Sequence, residues 1–334
     1  MSDAAQRSPA DRGPRPSVSE LLRAYRQLAA APGDRVRWAC TLEAVAPKLG
    51  NVHPSASFAD LRLSDFVTAA EQLATVVEEA ADAPGRWSLG AMVLEAVKRC
   101  RERTGTNVNL GIALLIVPLV LAERVAEEES LAPAAAVQAV LDRLDAADGR
   151  DVYAAIRLAQ PGGLGRASEM DVNAPAGGEI GEIAATGGQA SVEASPPVDL
   201  LAAMHGAADR DAIAHLYATG FDKLFELVTP WIEAAIGDVG DWLLGIREAQ
   251  LRLLAAAPDT LIARKCGPAV ALEGQRLAAE VFEAGNAAER SAAEERLDQW
   301  LRADGHRRNP GTTADVIAAG LYVLLSPILL SRRR

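Results

Sequence analysis

Apolar residues recur three and four positions apart along most of the chain, the spacing that lines one face of an α-helix. The first such stretch follows Ser17, where Ser17 or Ser19 can cap Glu20-Leu21-Leu22-Arg23-Ala24-Tyr25. Pro32-Gly33-Asp34 interrupts it, and the pattern resumes over Arg35–Ala46 before stopping at Pro47. Residues 47–61 (PKLGNVHPSASFADL) then predict a loop, because Gly, two Pro, Asn and Ser leave no helical period. Further helices are predicted over Leu63–Ala81, Ser88–Arg103, Gly111–Glu127, Ala132–Ala147 and Val152–Ala159. After a break come Leu200–His205, Arg210–Leu227, Val239–Ala256, Pro268–Ala284, Glu289–Ala303 and Thr313–Leu325.

No stretch alternates apolar and polar residues with period two, so the expected fold is all-α: one multi-helix globular domain over residues 18–334. Residues 1–17 are expected to form a disordered tail, and the Gly/Ala/Pro-rich Ala174–Pro197 a flexible insertion. Two very apolar runs, Gly111–Ala122 and Val316–Leu330, fall short of a bilayer-spanning length and read as buried helices.

Composition narrows the chemistry. Across 334 residues, 34 Lys+Arg against 45 Asp+Glu leave a net charge of −11, which argues against phosphate-backbone binding and so against a nucleic-acid partner. Three scattered cysteines and four histidines give neither a disulfide framework nor zinc-site spacing, and a reducing, cytoplasmic setting without a membrane is expected.

Four stretches share a composition, with Gly, Asn or Pro beside Asp, Lys or Arg at a helix boundary: Pro47–Asp60, Thr104–Gly111, Pro258–Gly267 and Asn309–Asp315. Helix boundaries expose unpaired N–H groups suited to anions, while carboxylates suit magnesium or a hydroxyl proton. Singly, each reads as an ordinary capped turn. Asp209 and Asp211 read as a cap, and His53 as a turn residue beside Pro54. Having four such boundaries in one acidic chain predicts that they converge at one end of the helices.

Taken in order, these residues resemble the triphosphoribosyl-dephospho-CoA synthase family, with most similarity to archaeal-type members. Pro47-Lys48-Leu49-Gly50, preceded by Glu43, resembles the family's P-K-P-G loop, and Asp60 its following acidic position. Gly105-Thr106-Asn107-Val108-Asn109-Leu110-Gly111 is similar to G-x-N-T-x-x-G, and Asp259-Thr260-Leu261-Ile262-Ala263-Arg264 to D-T-x-x-x-R. Asn309-Pro310-Gly311-Thr312-Thr313-Ala314-Asp315 resembles the closing N-P-G-x-x-A-D, and Pro161–Arg166 the glycine-rich centre. Leu49, Phe58 and Leu110 depart from the pattern, standing where the family has a second proline, a histidine and, in some members, a lysine.

The resemblance implies an all-helical transferase that moves the triphosphoribosyl group of ATP to the 2′-hydroxyl of dephospho-CoA, or a related acceptor, and releases adenine. It implies Glu43 or Asp60 as the proton acceptor, and Mg²⁺ held by Asp259 or Asp315. Lys48 and Arg264 would neutralise the triphosphate, while Asn107 and Asn109 would orient ribose or adenine. Gly50, Gly105, Gly111, Thr260, Asn309 and Gly311 would shape the substrate-binding loops. A homodimer is compatible with it. The three departures motivate a second reading, a non-catalytic nucleotide-binding helical protein in a one-carbon cofactor pathway.

Overall fold

Helix α5 (Leu110–Glu128) is apolar around its whole circumference, and the fold is arranged to cover it. Leu115, Ile116, Val117, Leu119 and Ala122 are fully buried, and Pro118 sits among them inside the helix. The computed structural model describes residues 18–83, 85–160 and 198–331. Among them are sixteen α-helices and no strand. The expected N-terminal tail, the glycine cluster with Arg166 and the Ala174–Pro197 insertion lie outside the described residues.

Before α5 come α1 (Val18–Leu28), α2 (Pro32–Val45), α3 (Leu63–Asp82) and α4 (Leu89–Thr104). Helix α3 buries Ala69, Ala70, Leu73, Ala74, Val76 and Val77, a stripe at helical spacing. After α5 follow α6 (Pro133–Leu141), α7 (Ala146–Ala159), α8 (Leu200–Ala207) and α9 (Ala212–Ala218). A π-helical turn at Leu224–Val228 leads into α10 (Thr229–Val239), then α11 (Trp242–Ala256), α12 (Thr260–Cys266), α13 (Pro268–Glu283), α14 (Ala287–Arg302), α15 (Gly311–Leu325) and α16 (Pro327–Ser331).

Several boundaries differ from the sequence expectation, each for a local reason. Helix α2 starts at Pro32, since a proline in the first turn loses no hydrogen bond. The stretch Ala132–Ala147 splits where Asp145 caps α7 by accepting from Ala147 N and Asp148 N. Arg210–Leu227 is broken at Gly220 and Phe221, both with positive φ. Pro258–Gly267 is mostly helix α12 rather than loop, started by the Asp259 cap.

Three helices carry the functional end. At the start of α2, Arg35 donates to Glu123 Oε2 at 2.9 Å, and Tyr322 donates to the same oxygen at 2.7 Å. Glu123 and Tyr322 lie late in α5 and α15, so these two run parallel and α2 runs against them. The opposite end of the trio therefore gathers the C-terminus of α2 with the N-termini of α5 and α15. A second apolar cluster, including Leu49, Leu251, Ile262, Leu297 and Leu301, packs α11–α14 beside that end. No helix among the described residues is long and apolar enough to cross a membrane.

Candidate active site

The four boundary stretches meet at that end. Asp259, the N-cap of α12, accepts from Leu261 N (2.9 Å) and Ile262 N (3.0 Å) through Oδ1. Its Oδ2 accepts from Thr313 N and Thr313 Oγ1, both at 2.8 Å, which joins the third stretch to the fourth. Asp315, one turn into α15, lies against Gly111 at the start of α5, so the fourth joins the second. The first stretch comes in through Asp60, whose Oδ1 is 3.1 Å from Nδ1 of His306, in the turn just before the fourth.

Asp315 sits in a ring of negative charge. Burial, then the charges of Glu43 and Asp259, hold its carboxyl well above the usual carboxylate range, against Arg264 acting the other way. The Cys40 thiol beside it is pushed up by burial and by Glu43 and Asp315. Helices α5 and α15 both begin beside this group, with Asn107 and Asp259 accepting from N–H groups of their first turns.

Glu43 and Lys48, placed by sequence as proton acceptor and phosphate cation, are partners of each other. Lys48 Nζ lies 2.7 Å from Glu43 Oε1 and also donates to the Glu43 carbonyl, and both side chains are buried. Lys48 is fully enclosed, so it reaches no phosphate from this position; it neutralises Glu43 instead. The likewise enclosed Asp259 carboxylate has its lone-pair sites taken by four protein donors, which makes it a double helix cap where a magnesium ligand was expected. Burial raises its carboxyl and those donors pull the other way.

Gly50 adopts φ +70°, its N–H donates to Asp298 Oδ1 at 2.7 Å, and a β-carbon there would meet Leu301 at 2.6 Å. It is a packing and turn glycine. Gly105, with φ +71°, closes α4 and faces open space. A β-carbon on Gly311 would strike Leu261 of α12 at 2.5 Å, so this glycine lets α15 approach α12. Thr260 Oγ1 donates to Thr312 Oγ1 at 3.2 Å and accepts from Ala212 N at 3.3 Å, tying α9, α12 and α15 together.

Arg264 donates to Asp211 Oδ2 at 3.3 Å, and Asp211 is the α9 cap that the sequence suggests. Lys265 Nζ donates to Asn309 Oδ1 at 3.3 Å, and burial with Arg264 alongside lowers its amine. Asn107 Oδ1 accepts from Leu110 N at 3.4 Å. Asn109 is buried, its Nδ2 donates to Ala96 O at 3.4 Å, and its Oδ1 has no donor. It lines a narrow cleft with Cys40, Glu43, Phe66 and Val108.

Sequence reasoning missed the residues that fix the first loop. Gln250, fully buried on α11, donates to Leu49 O and Asn51 Oδ1 and accepts from Leu49 N, all at 2.8 Å. Arg302 donates to Asn51 O at 2.6 Å and covers Phe58 at 5.3 Å. A polar residue amid the apolar pattern of α11 was the available signal for Gln250. The departures from the motif pattern also find packing roles: Leu49 fills the second apolar cluster, Leu110 the main core, and Phe58 the space under Arg302.

A family model described as ATP:dephospho-CoA triphosphoribosyl transferase matches residues 29–332. No curated protein matches the chain. Among solved structures, the fold is similar to a crystal structure from Archaeoglobus fulgidus, provisionally described as a triphosphoribosyl-dephospho-CoA synthase. That likeness has a TM-score of 0.52 and 22% identity, covering 79% of this chain and 97% of the other.

Proposed function

The chain belongs to the ATP:dephospho-CoA triphosphoribosyl transferase family, and we propose that the carboxylate cluster between α2, α5 and α15 is where it carries out the transfer. The enzyme is a transferase acting on ATP and dephospho-CoA in prosthetic-group synthesis. In the reaction the acceptor's 2′-hydroxyl bonds to the anomeric carbon of the ATP ribose while the bond to adenine breaks. A proton leaves the hydroxyl, and adenine departs with the electron pair.

The triphosphate is the largest charge to place. The positive dipole ends of α5 and α15 start at this group, and Arg264 and Lys265 add positive charge beside them. Mg²⁺ suits this group of residues, because it is commonly held by one or two carboxylates with phosphates and water completing the shell. Asp315 would hold the ion; Glu43 is paired with Lys48, and Asp259 is committed to its caps. Bound there, magnesium would neutralise the triphosphate. Asn109 Oδ1, buried without a donor, would accept from the ribose or base, with Asn107 next to it.

The observation that carries this reading is the Asp315 carboxylate seated on Gly111, with Glu43 beside it, where two helix N-termini meet. The test is chromatography of the protein with ATP, Mg²⁺ and a panel of 2′-hydroxyl acceptors including dephospho-CoA. Free adenine that appears only with an acceptor supports it. ADP as the sole product would make the protein a kinase. ATP binding with no turnover would favour the nucleotide-binding reading.

A further inference from the structure

We propose that His306, held by Asp60, takes the proton from the attacking hydroxyl, with Asp60 as the positioning residue behind it; this rests on the transferase reading above. Asp60 Oδ1 and His306 Nδ1 are 3.1 Å apart, and 246 residues of sequence separate them. When Nδ1–H donates to the carboxylate, the ring is fixed in the tautomer whose Nε2 lone pair points away from Asp60 and can accept a proton.

The ring is held as well as oriented. Phe58 meets it edge-on at 5.9 Å between centroids, and Arg302 lies over Phe58. Arg302 is in turn fixed by Asp298 and the Asn51 carbonyl, so a braced loop supports the imidazole. The turn that carries His306 also leads into the site. Asn309 N donates to His306 O, Lys265 Nζ donates to Asn309 Oδ1, and α15 begins two residues on with Asp315 in its second turn.

Accessibility selects this pair over the buried carboxylates. Glu43 is sealed with Lys48, and Asp259 is saturated by four donors. A proton acceptor must exchange its proton with solvent between turnovers, and the side chains of His306 and Asp60 are 34% and 64% exposed. Asp60 is the charged group on the ring itself; Lys265 of α12 feels the charge of Asp60, Arg302 of α14 lies over Phe58, and Asp304 and Arg307 pair with each other in the His306 turn.

The step balances. The acceptor O–H bond breaks toward Nε2, the oxygen closes on the anomeric carbon, and the bond to adenine breaks with its electron pair leaving on the base. The imidazolium then passes its proton to adenine or to water, and the neutral ring is restored.

The test uses the full chain with His306→Gln, His306→Asn and Asp60→Asn. Asparagine at 306 keeps an N–H that can reach Asp60 but cannot take a proton, so it would rescue a merely structural contact. Both His306 variants are expected to lose about 10²–10⁴-fold in kcat, with the KM for ATP nearly unchanged. The acid-side fall of the wild-type kcat/KM profile should vanish with them. Asp60→Asn, which offers an N–H and so favours the wrong tautomer, should also lose kcat. Wild-type turnover and pH profile in His306→Gln, or rescue by His306→Asn, would overturn the dyad and leave the transferase reading intact. No adenine from the wild-type protein with any acceptor would overturn both.

Discussion

A β-carbon on Gly111 would stand 2.0 Å from Asp315 Oδ2, so the first turn of α5 and the second turn of α15 touch through a glycine and a carboxylate. No side chain larger than hydrogen leaves Asp315 where it is. This contact explains why a glycine is needed at a helical position that has no conformational demand for one, since Gly111 is absent from the positive-φ glycines.

Gly111→Ala should therefore fold and fail. Alanine favours the helix by about 1 kcal/mol over glycine, which partly offsets the crowding. The displaced carboxylate should lower turnover at least about tenfold, since small misplacements of reacting groups are costly. Circular dichroism and adenine release measure the two effects separately.

Asp315→Asn should separate stability from activity. The folded carboxyl titrates well above its ordinary range, so the folded state keeps a proton that the unfolded chain has lost. Stability contributed by this group is full below the unfolded pKa of about 3.9 and falls as pH rises toward the folded value. Asparagine has no such titration. Its melting temperature relative to wild type should rise steadily from pH 4 upward, while turnover with Mg²⁺ and ATP falls by orders of magnitude. A difference independent of pH would contradict the buried, charge-crowded Asp315.

Lys48→Met should act on stability before it acts on ATP binding. It strands the Glu43 carboxylate in the core, a loss of about 3–5 kcal/mol by analogy with other buried pairs. Adding Glu43→Gln should recover much of that loss in a double-mutant cycle read by denaturant unfolding. A loss in the double variant equal to the sum of the two single losses would show that the pair is not coupled.

Asp259→Ala should lower stability by about 2–3 kcal/mol, because it uncaps α12 and frees Thr313 at once. Its effect on the magnesium requirement should be small beside that of Asp315→Asn. Titrating Mg²⁺ at fixed ATP for the two variants makes the comparison.

The local chemistry of the caps was readable in advance: Asp211 starts α9 as expected, and Pro118 lies in a buried α5. The helix at Thr260–Cys266 was not, because the Gly/Pro/Asp composition that signals a loop also supplies the cap that starts a short helix. Lys48 was misplaced for a similar reason. A lysine in a Pro/Gly loop reads as solvent-facing, and only the fold of residues 47–61 back onto α11 and α14 encloses it against Glu43.

The sequence by itself determined the all-helical class, since periodicity is a property of neighbours a few residues apart. It also marked the boundary stretches that the fold gathers at one end, because their Gly, Asn, Pro and Asp residues break the helical period locally. Tertiary structure alone decided how the carboxylates divide their work. Asp259 meets Thr313 across 54 positions, and Asp60 meets His306 across 246. Whether an Asp is a cap, a charge held near a helix N-terminus or the orienter of a histidine depends on donors and charges from such distant segments. Those contacts form only when α12 meets α15 and the loop after α2 meets the turn before α15, and local spacing holds no record of them.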